Sequence, residues 1–262
     1  MILKDYLKKA QENKYAIGQF NFSTLEQLRG ILVAAKKMKN PVIIGTSENE
    51  SKFLGLEETL ALVEISKMKY KVFAFLNLDH GKDLDYIKRA IDLGYSAVHF
   101  DGSDLPLEKN MKYAKRVVEY AHKKGVLVEG ELEGIGKRNL SSLNEIKRFV
   151  KETKVDSLAI AIGSRHGFYK DVKLNFDRLK EIKEKTNSFL VLHGGSGISN
   201  VQIKKAIKSG IVKININTEL RLAWKRTLEK SLKTQEIKPY KILPKVQKAI
   251  QEKVEEKIKL FN

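Results

Sequence analysis

The chain has 262 residues, 42% of them hydrophobic and 31% charged, which gives length for one large domain with a substantial core and excludes a disordered chain. It contains no Cys, so a disulfide framework and a thiolate metal site are both excluded and any metal must rest on His, Asp or Glu. Lys and Arg number 50 against 32 Asp and Glu, a net charge of +18, but the lysines are dispersed through amphipathic runs such as KRAID and QKAIQEKVEEKIK, an outer solvated layer that speaks against a nucleic-acid-binding stripe.

The first residues, MILKDYLKKAQENKY, are amphipathic and mixed in charge. They lack the apolar core of a leader peptide, and no later run offers the roughly 20 apolar residues that span a bilayer. A cytoplasmic location with no membrane partner is expected. From there, short β-rich runs alternate with longer amphipathic ones. Strands are predicted at residues 16–20, 42–45, 72–78, 97–101, 126–131, 157–162, 189–192 and 212–216. Helices are predicted at 24–39, 56–69, 84–93, 110–124, 143–153, 176–185 and 201–209, followed by TELRLAWKR and a C-terminal helical extension. Eight strand–helix units in this length predict an α/β fold, a (β/α)8 TIM barrel, with residues 1–262 as one domain because no Pro- or Ser-rich linker divides them. A doubly wound open sheet is the alternative, and it rarely uses eight units.

Every predicted strand ends on, or is soon followed by, a polar residue. In chain order these are Asn21, Ser47, Asp79 with His80, Asp101, Glu131, His166, His193, and Asn215 with Asn217. A parallel barrel gathers those ends on one rim, where active sites of this fold lie. His80 in LDHG, His166 in SRHG and His193 in LHGG each precede Gly. Three imidazoles in equivalent settings favour joint ligation of a divalent metal over three separate strand caps. Asp101 and Glu131 are expected to orient those ligands or to serve a second metal position, with a rim salt bridge as the other reading. Asp79 is the candidate acid–base group. His122 reads as a helix C-terminal residue, and His99 as a core histidine facing the barrel interior. Two segments read as phosphate cradles: Gly194, Gly195 and Ser196 before one helix, and Asn215, Ile216, Asn217 and Thr218 before the next.

The motifs LDHG, FDGSDLPLEKN, VEGELEGIG, VDSLAIAIGSRHGFY, LVLHGGSGI and VKININTELR together resemble the class II fructose-bisphosphate and tagatose-bisphosphate aldolases, from about residue 2 to the C-terminal helix. The resemblance implies His80, His166 and His193 as zinc ligands, Asp79 as proton donor, and Asp101 and Glu131 as alternate or supporting ligands. It assigns Gly167, Gly194, Gly195, Ser196 and Asn215 through Thr218 to dihydroxyacetone phosphate. Asn21 and Ser47, at their strand ends, join the candidate substrate-binding residues, and Arg221 is a candidate for the distal phosphate. The implied reaction is reversible cleavage of a ketose 1,6-bisphosphate, fructose 1,6-bisphosphate first and the tagatose epimer or another phosphorylated ketose as the alternative. Zn2+ would polarise the ketose carbonyl, with room for a monovalent cation. A homo-oligomer, dimer or tetramer, is expected. Two departures stand out. The segment LEGIGKRNLSS replaces a longer, acidic loop that carries a glutamate in the family, leaving Glu133 as the nearest acidic candidate, and Asp104 stands where a His is expected.

Overall fold

The computed structural model describes residues 1–134, 140–165, 167, 169 and 171–262. Eight parallel strands close on themselves in chain order, each hydrogen-bonded to the next and β8 to β1. They are β1 (Ile17–Asn21), β2 (Val42–Ser47), β3 (Ala74–Gly81), β4 (Ala97–Asp101), β5 (Leu127–Glu131), β6 (Ser157–Ala159), β7 (Phe189–Leu192) and β8 (Ile211–Ile216). The helices are α1 (Leu3–Asn13), α2 (Leu25–Met38), α3 (Glu48–Leu54), α4 (Leu56–Tyr70), α5 (Leu84–Leu93), α6 (Leu107–His122), α7 (Leu143–Thr153), α8 (Phe176–Lys185), α9 (Asn200–Lys208), α10 (Thr218–Leu232) and α11 (Pro239–Phe261). The (β/α)8 barrel expected from the alternation is thus the observed architecture, and the open sheet is excluded by the β1–β8 pairing.

Burial explains the pattern. Strand residues such as Phe20, Ile44, Leu76, Val98, Val128, Leu158, Leu190 and Ile214 point outward into a shell of helices and are at most 1% exposed. The alternate positions point inward. A second, smaller cluster lies where α1 closes the N-terminal end of the barrel, with Leu3, Tyr6, Leu7 and Ala10 against Ile17, Ile43, Phe75 and Val212. The interior above that plug is polar. Gln19, Asn77, His99, Glu129 and Lys213 are all buried there, where branched aliphatic residues usually fill such barrels.

Three differences from the predicted elements matter. Strand β3 runs through Asp79 and His80 rather than stopping before them, and β6 is three residues long. Helix α3, at seven residues too short to show a period, was not anticipated from the sequence; it starts at Ser47, whose side chain accepts from the Glu50 N–H in a capping box. The C-terminal extension is α11, which lies against α2 and α10. Its residues Ile242, Val246, Ile250, Val254 and Ile258 form a buried stripe at four-residue spacing. At the α2 crossing a Cβ on Gly30 would meet Gln247 O at 2.7 Å, so the helices approach as closely as backbone permits.

Candidate active site

At the C-terminal rim, β3 does something unusual. Its register with β4 shifts between Leu78 and Gly81, and His80 adopts a left-handed backbone with φ 50°. Successive strand residues normally face opposite sides. The shift instead lets Asp79 and His80 both turn toward the barrel axis, a locally costly conformation of the kind that persists at functional sites.

His80 directs Nδ1 at Asp101 Oδ2, 3.0 Å away, with Glu131 Oε2 at 3.6 Å. His193, immediately after β7, directs Nε2 at Glu129 Oε1 at 2.6 Å. The remaining nitrogens, His80 Nε2 and His193 Nδ1, face each other 3.0 Å apart. A carboxylate accepts but does not donate, so each outer nitrogen carries a ring proton, and in the neutral ring the inner nitrogen presents a lone pair. At 3.0 Å the two inner nitrogens are joined by a shared proton or by a cation that replaces it. For a tetrahedral ion with Zn–N bonds of about 2.0–2.1 Å the ligand-to-ligand edge is about 3.3 Å, close to the observed separation. Asp79, His80, His99 and His193 form one group whose donor atoms could converge on a metal, and His80, Asp101 and Glu131 form a second. The donor set therefore fits a divalent cation. His166 lies outside the described residues.

Asp79 is 5% exposed and its two oxygens accept from Asn21 Nδ2 at 3.0 Å and Asn215 Nδ2 at 3.2 Å. Burial raises its pKa, but the imidazoles of His80, His99 and His193 outweigh that and hold the carboxyl well below its usual range. Asp101 is depressed in the same way, burial being overcome by His80, His99 and the Ser103 hydroxyl. Burial lowers His193, which favours the neutral ring that a metal ligand requires. His99, 0% exposed, is the expected interior histidine, yet it is more than filler: its Nδ1 accepts the His80 backbone N–H at 3.1 Å and its Nε2 lies 3.3 Å from Glu131 Oε2. It therefore buttresses the strained residue.

One cavity opens above these groups, lined by Ser47, Asp79, His80, Gly167, His193, Gly194, Ser196, Asn215, Asn217, Thr218 and Arg221. Most of the predicted cradle residues meet there. Gly194 has φ 65°, and a Cβ would stand 2.4 Å from Arg165 O, so this position is restricted to Gly. Helix α10 begins at Thr218 without a side-chain cap, because its N-cap residue Asn217 donates instead to Glu50 Oε1. Thr218, its first residue, lines the cavity, while the next N–H, of Glu219, donates to Ser196 Oγ at 3.3 Å; the helix start and its dipole suit an anion. Gly195 and Ile216 do not line the cavity: the Gly195 N–H donates to Asn215 O and Ile216 packs in the core. Asn21 acts from behind, bridging Asp79 and Glu50 at 3.0 Å each. Arg221 reaches the cavity but donates to Glu50 Oε1 at 2.6 Å. Asp104 pairs with Lys82 at 2.6 Å on the exposed surface.

Glu50, Glu129 and Lys213 escaped the sequence reading. A signal existed for two of them. Glu129 shares a strand face with Glu131, and Lys213 interrupts the apolar run IVKINI two residues before Asn215, where a buried cation requires a partner. Glu133 is not at the cavity. It is 5% exposed, accepts from Ser141 N at 2.6 Å, and pairs with Arg178, which also donates to Ser141 O. Burial pushes its carboxyl up despite Arg178. Glu133 therefore clamps the base of the β5–α7 connection and is committed there.

The family model for class-II fructose-bisphosphate aldolase matches residues 2–262. The chain belongs to this family. It is an aldehyde-lyase, and among its relatives it is 40% identical to 6-phospho-5-dehydro-2-deoxy-D-gluconate aldolase of Shouchella clausii, over 97% of this chain and 92% of that one. It is 38% identical to fructose-bisphosphate aldolase of Staphylococcus aureus strain Mu50, over 99% of this chain and 96% of that one. That alignment runs to 274 positions, longer than this chain of 262 residues, so the relative carries residues with no counterpart here. Among solved structures, the YdjI aldolase from Escherichia coli K12 superposes with a TM-score of 0.90 at 32% identity, covering 100% of this aldolase and 97% of that chain. No helix among the described residues is long and apolar enough to cross a membrane.

Proposed function

We propose that this aldolase cleaves, reversibly, a ketose phosphorylated next to its carbonyl, releasing dihydroxyacetone phosphate and an aldehyde, with fructose 1,6-bisphosphate as the first substrate to test. The observation that carries the reading is the 3.0 Å approach of His80 Nε2 and His193 Nδ1 beside the buried Asp79 carboxylate. His80, His193 and, from its motif, His166 would hold a divalent cation, which we take to be zinc because imidazole-rich sites suit it. Bound there, the cation supplies Lewis-acid polarisation of the ketose carbonyl. The chain does the rest. The Gly194–Ser196 turn and the start of α10 hold the phosphate, and Asn21 and Asn215 fix Asp79. Asp79 accepts the C4 hydroxyl proton as the C3–C4 bond breaks, the bond's electron pair passes to the ketose fragment, and C3 takes a proton from water before release; condensation reverses both transfers. Both named relatives fit this common core: their printed substrates share a phosphate beside a ketone and differ at the far end, phosphate in one and carboxylate in the other. We take the enzyme to act in the cytoplasm, as a homo-oligomer.

A coupled assay with fructose 1,6-bisphosphate, with and without chelator, tests the reaction, and metal analysis of His80→Ala, His166→Ala and His193→Ala tests the site. Each substitution is expected to reduce bound zinc. A triple-Ala protein that kept stoichiometric zinc would remove the assignment.

A further inference from the structure

Below the rim, two charged side chains remain without a role. Lys213 on β8 and Glu129 on β5 are each 4% exposed. Their strands are not neighbours in the barrel, so the pair crosses its interior: Lys213 Nζ donates to Glu129 Oε2 at 2.6 Å. The other oxygen of Glu129 faces His193 Nε2 at 2.6 Å. We propose that Lys213 and Glu129 are positioning residues that fix the tautomer of His193, so that its Nδ1 lone pair is presented to a bound cation. The inference rests on the metal reading above.

The steps are these. Lys213 occupies one oxygen of Glu129 and keeps the group a carboxylate, an acceptor at its second oxygen. That oxygen takes the Nε2–H of His193, which leaves Nδ1 unprotonated, 3.0 Å from His80 Nε2. The opposite tautomer would point an N–H at the cation and could not ligate it. Asn215 Nδ2 also lies 3.3 Å from His193 Nε2 while donating one N–H to Asp79 Oδ1 at 3.2 Å, but the charged Glu129 oxygen at 2.6 Å is the closer and stronger partner of Nε2. A pair that served folding alone would need neither the second oxygen nor its aim.

The conservative variant Glu129→Gln discriminates sharply. Lys213 would claim the single amide oxygen, turning the NH2 toward His193 Nε2 and driving the proton to Nδ1. In metal-free protein labelled with 15N-histidine, His193 is expected as the Nε2–H form in the parent and shifted toward Nδ1–H in Glu129→Gln. Zn2+ titrated against a competing chelator should bind Glu129→Gln and Lys213→Met about 10–100-fold more weakly, the range typical of partners behind metal-bound histidines. Lys213→Arg should restore most of the affinity. Circular dichroism checks that each variant is folded, and Glu129→Gln decides if Lys213→Met does not fold. A parent protein with His193 already protonated at Nδ1, or a folded Glu129→Gln with unchanged tautomer and zinc affinity, would overturn the proposal. If the parent binds no zinc, the metal reading fails by itself while the tautomer measurement still judges the positioning role.

Discussion

Asp79 and Glu133 are both buried carboxylates near the barrel rim, and their neighbours give them opposite prospects. Asp79 is held by two amides and surrounded by imidazoles beside the cavity. Replacing it with Ala should leave zinc content and fold intact while lowering turnover by about 10²–10⁴-fold, the usual contribution of a positioned acid–base group; near-parental turnover would remove it from the mechanism. Glu133 accepts from both Arg178 and Ser141 through Oε1, away from the cavity lining. Proton exchange from dihydroxyacetone phosphate into heavy water should therefore be unchanged in Glu133→Gln, whereas thermal stability should fall because a half-buried guanidinium loses its charged partner. Abolished exchange would show that the clamp opens and that Glu133 is the base. The sequence shows that the acidic loop is short; that the remaining glutamate is tied down depends on Arg178, 45 residues further on.

Among the elements, β3 and α10 are shaped by what they present. The backbone shift in β3 brings two consecutive side chains to one side, and α10 starts at the cavity without a cap from its own N-cap side chain, its Glu219 N–H donating across to Ser196 Oγ. Gly194→Ala should disturb the facing turn, since Cβ would collide with Arg165 O at a residue with φ 65°. If the phosphate loses one charge-assisted hydrogen bond, about 1.5–3 kcal/mol, KM should rise about tenfold or more with a smaller change in kcat. An unchanged KM would place the phosphate elsewhere. Helix α11 offers the contrasting case of an element that acts through packing. Ile250, fully buried between α11 and α2, should cost about 2–5 kcal/mol when cut to Ala, read by denaturant unfolding. Metal affinity should be untouched.

The whole molecule combines a strongly positive exterior with a rim rich in carboxylates: Glu50, Asp79, Asp101, Glu129 and Glu131 all lie in or behind the cavity wall. Such an exterior would attract an anionic substrate, and such a rim would retain a cation. Zinc should therefore stabilise the fold by mass action. An excess of 1,000 times Kd contributes about 4 kcal/mol, which for a chain of this size corresponds to roughly 8–16 °C in Tm. Calorimetry with added Zn2+ and with chelator checks this, and equal melting temperatures in both would argue against a structured metal centre.

What the sequence determined by itself was periodicity and position. Eight apolar runs of strand length, each followed by an amphipathic segment, permit few arrangements other than a closed parallel barrel, and a parallel barrel puts every strand end on one rim. His80, His193, Asp79, Asn215 and Thr218 were legible for that reason, as residues at known places in a repeating pattern. What the tertiary structure decided was partnership between side chains distant in the chain. Glu129 and Lys213 are 84 residues apart, and Asn217 and Glu50 are 167 apart; barrel closure makes them neighbours. The consequences follow from burial. A carboxylate lies at one nitrogen of His193, a guanidinium pairs with Glu133, and His99 accepts the N–H of the strained residue in β3. No local pattern encodes those effects, because each depends on which groups share a space that excludes water.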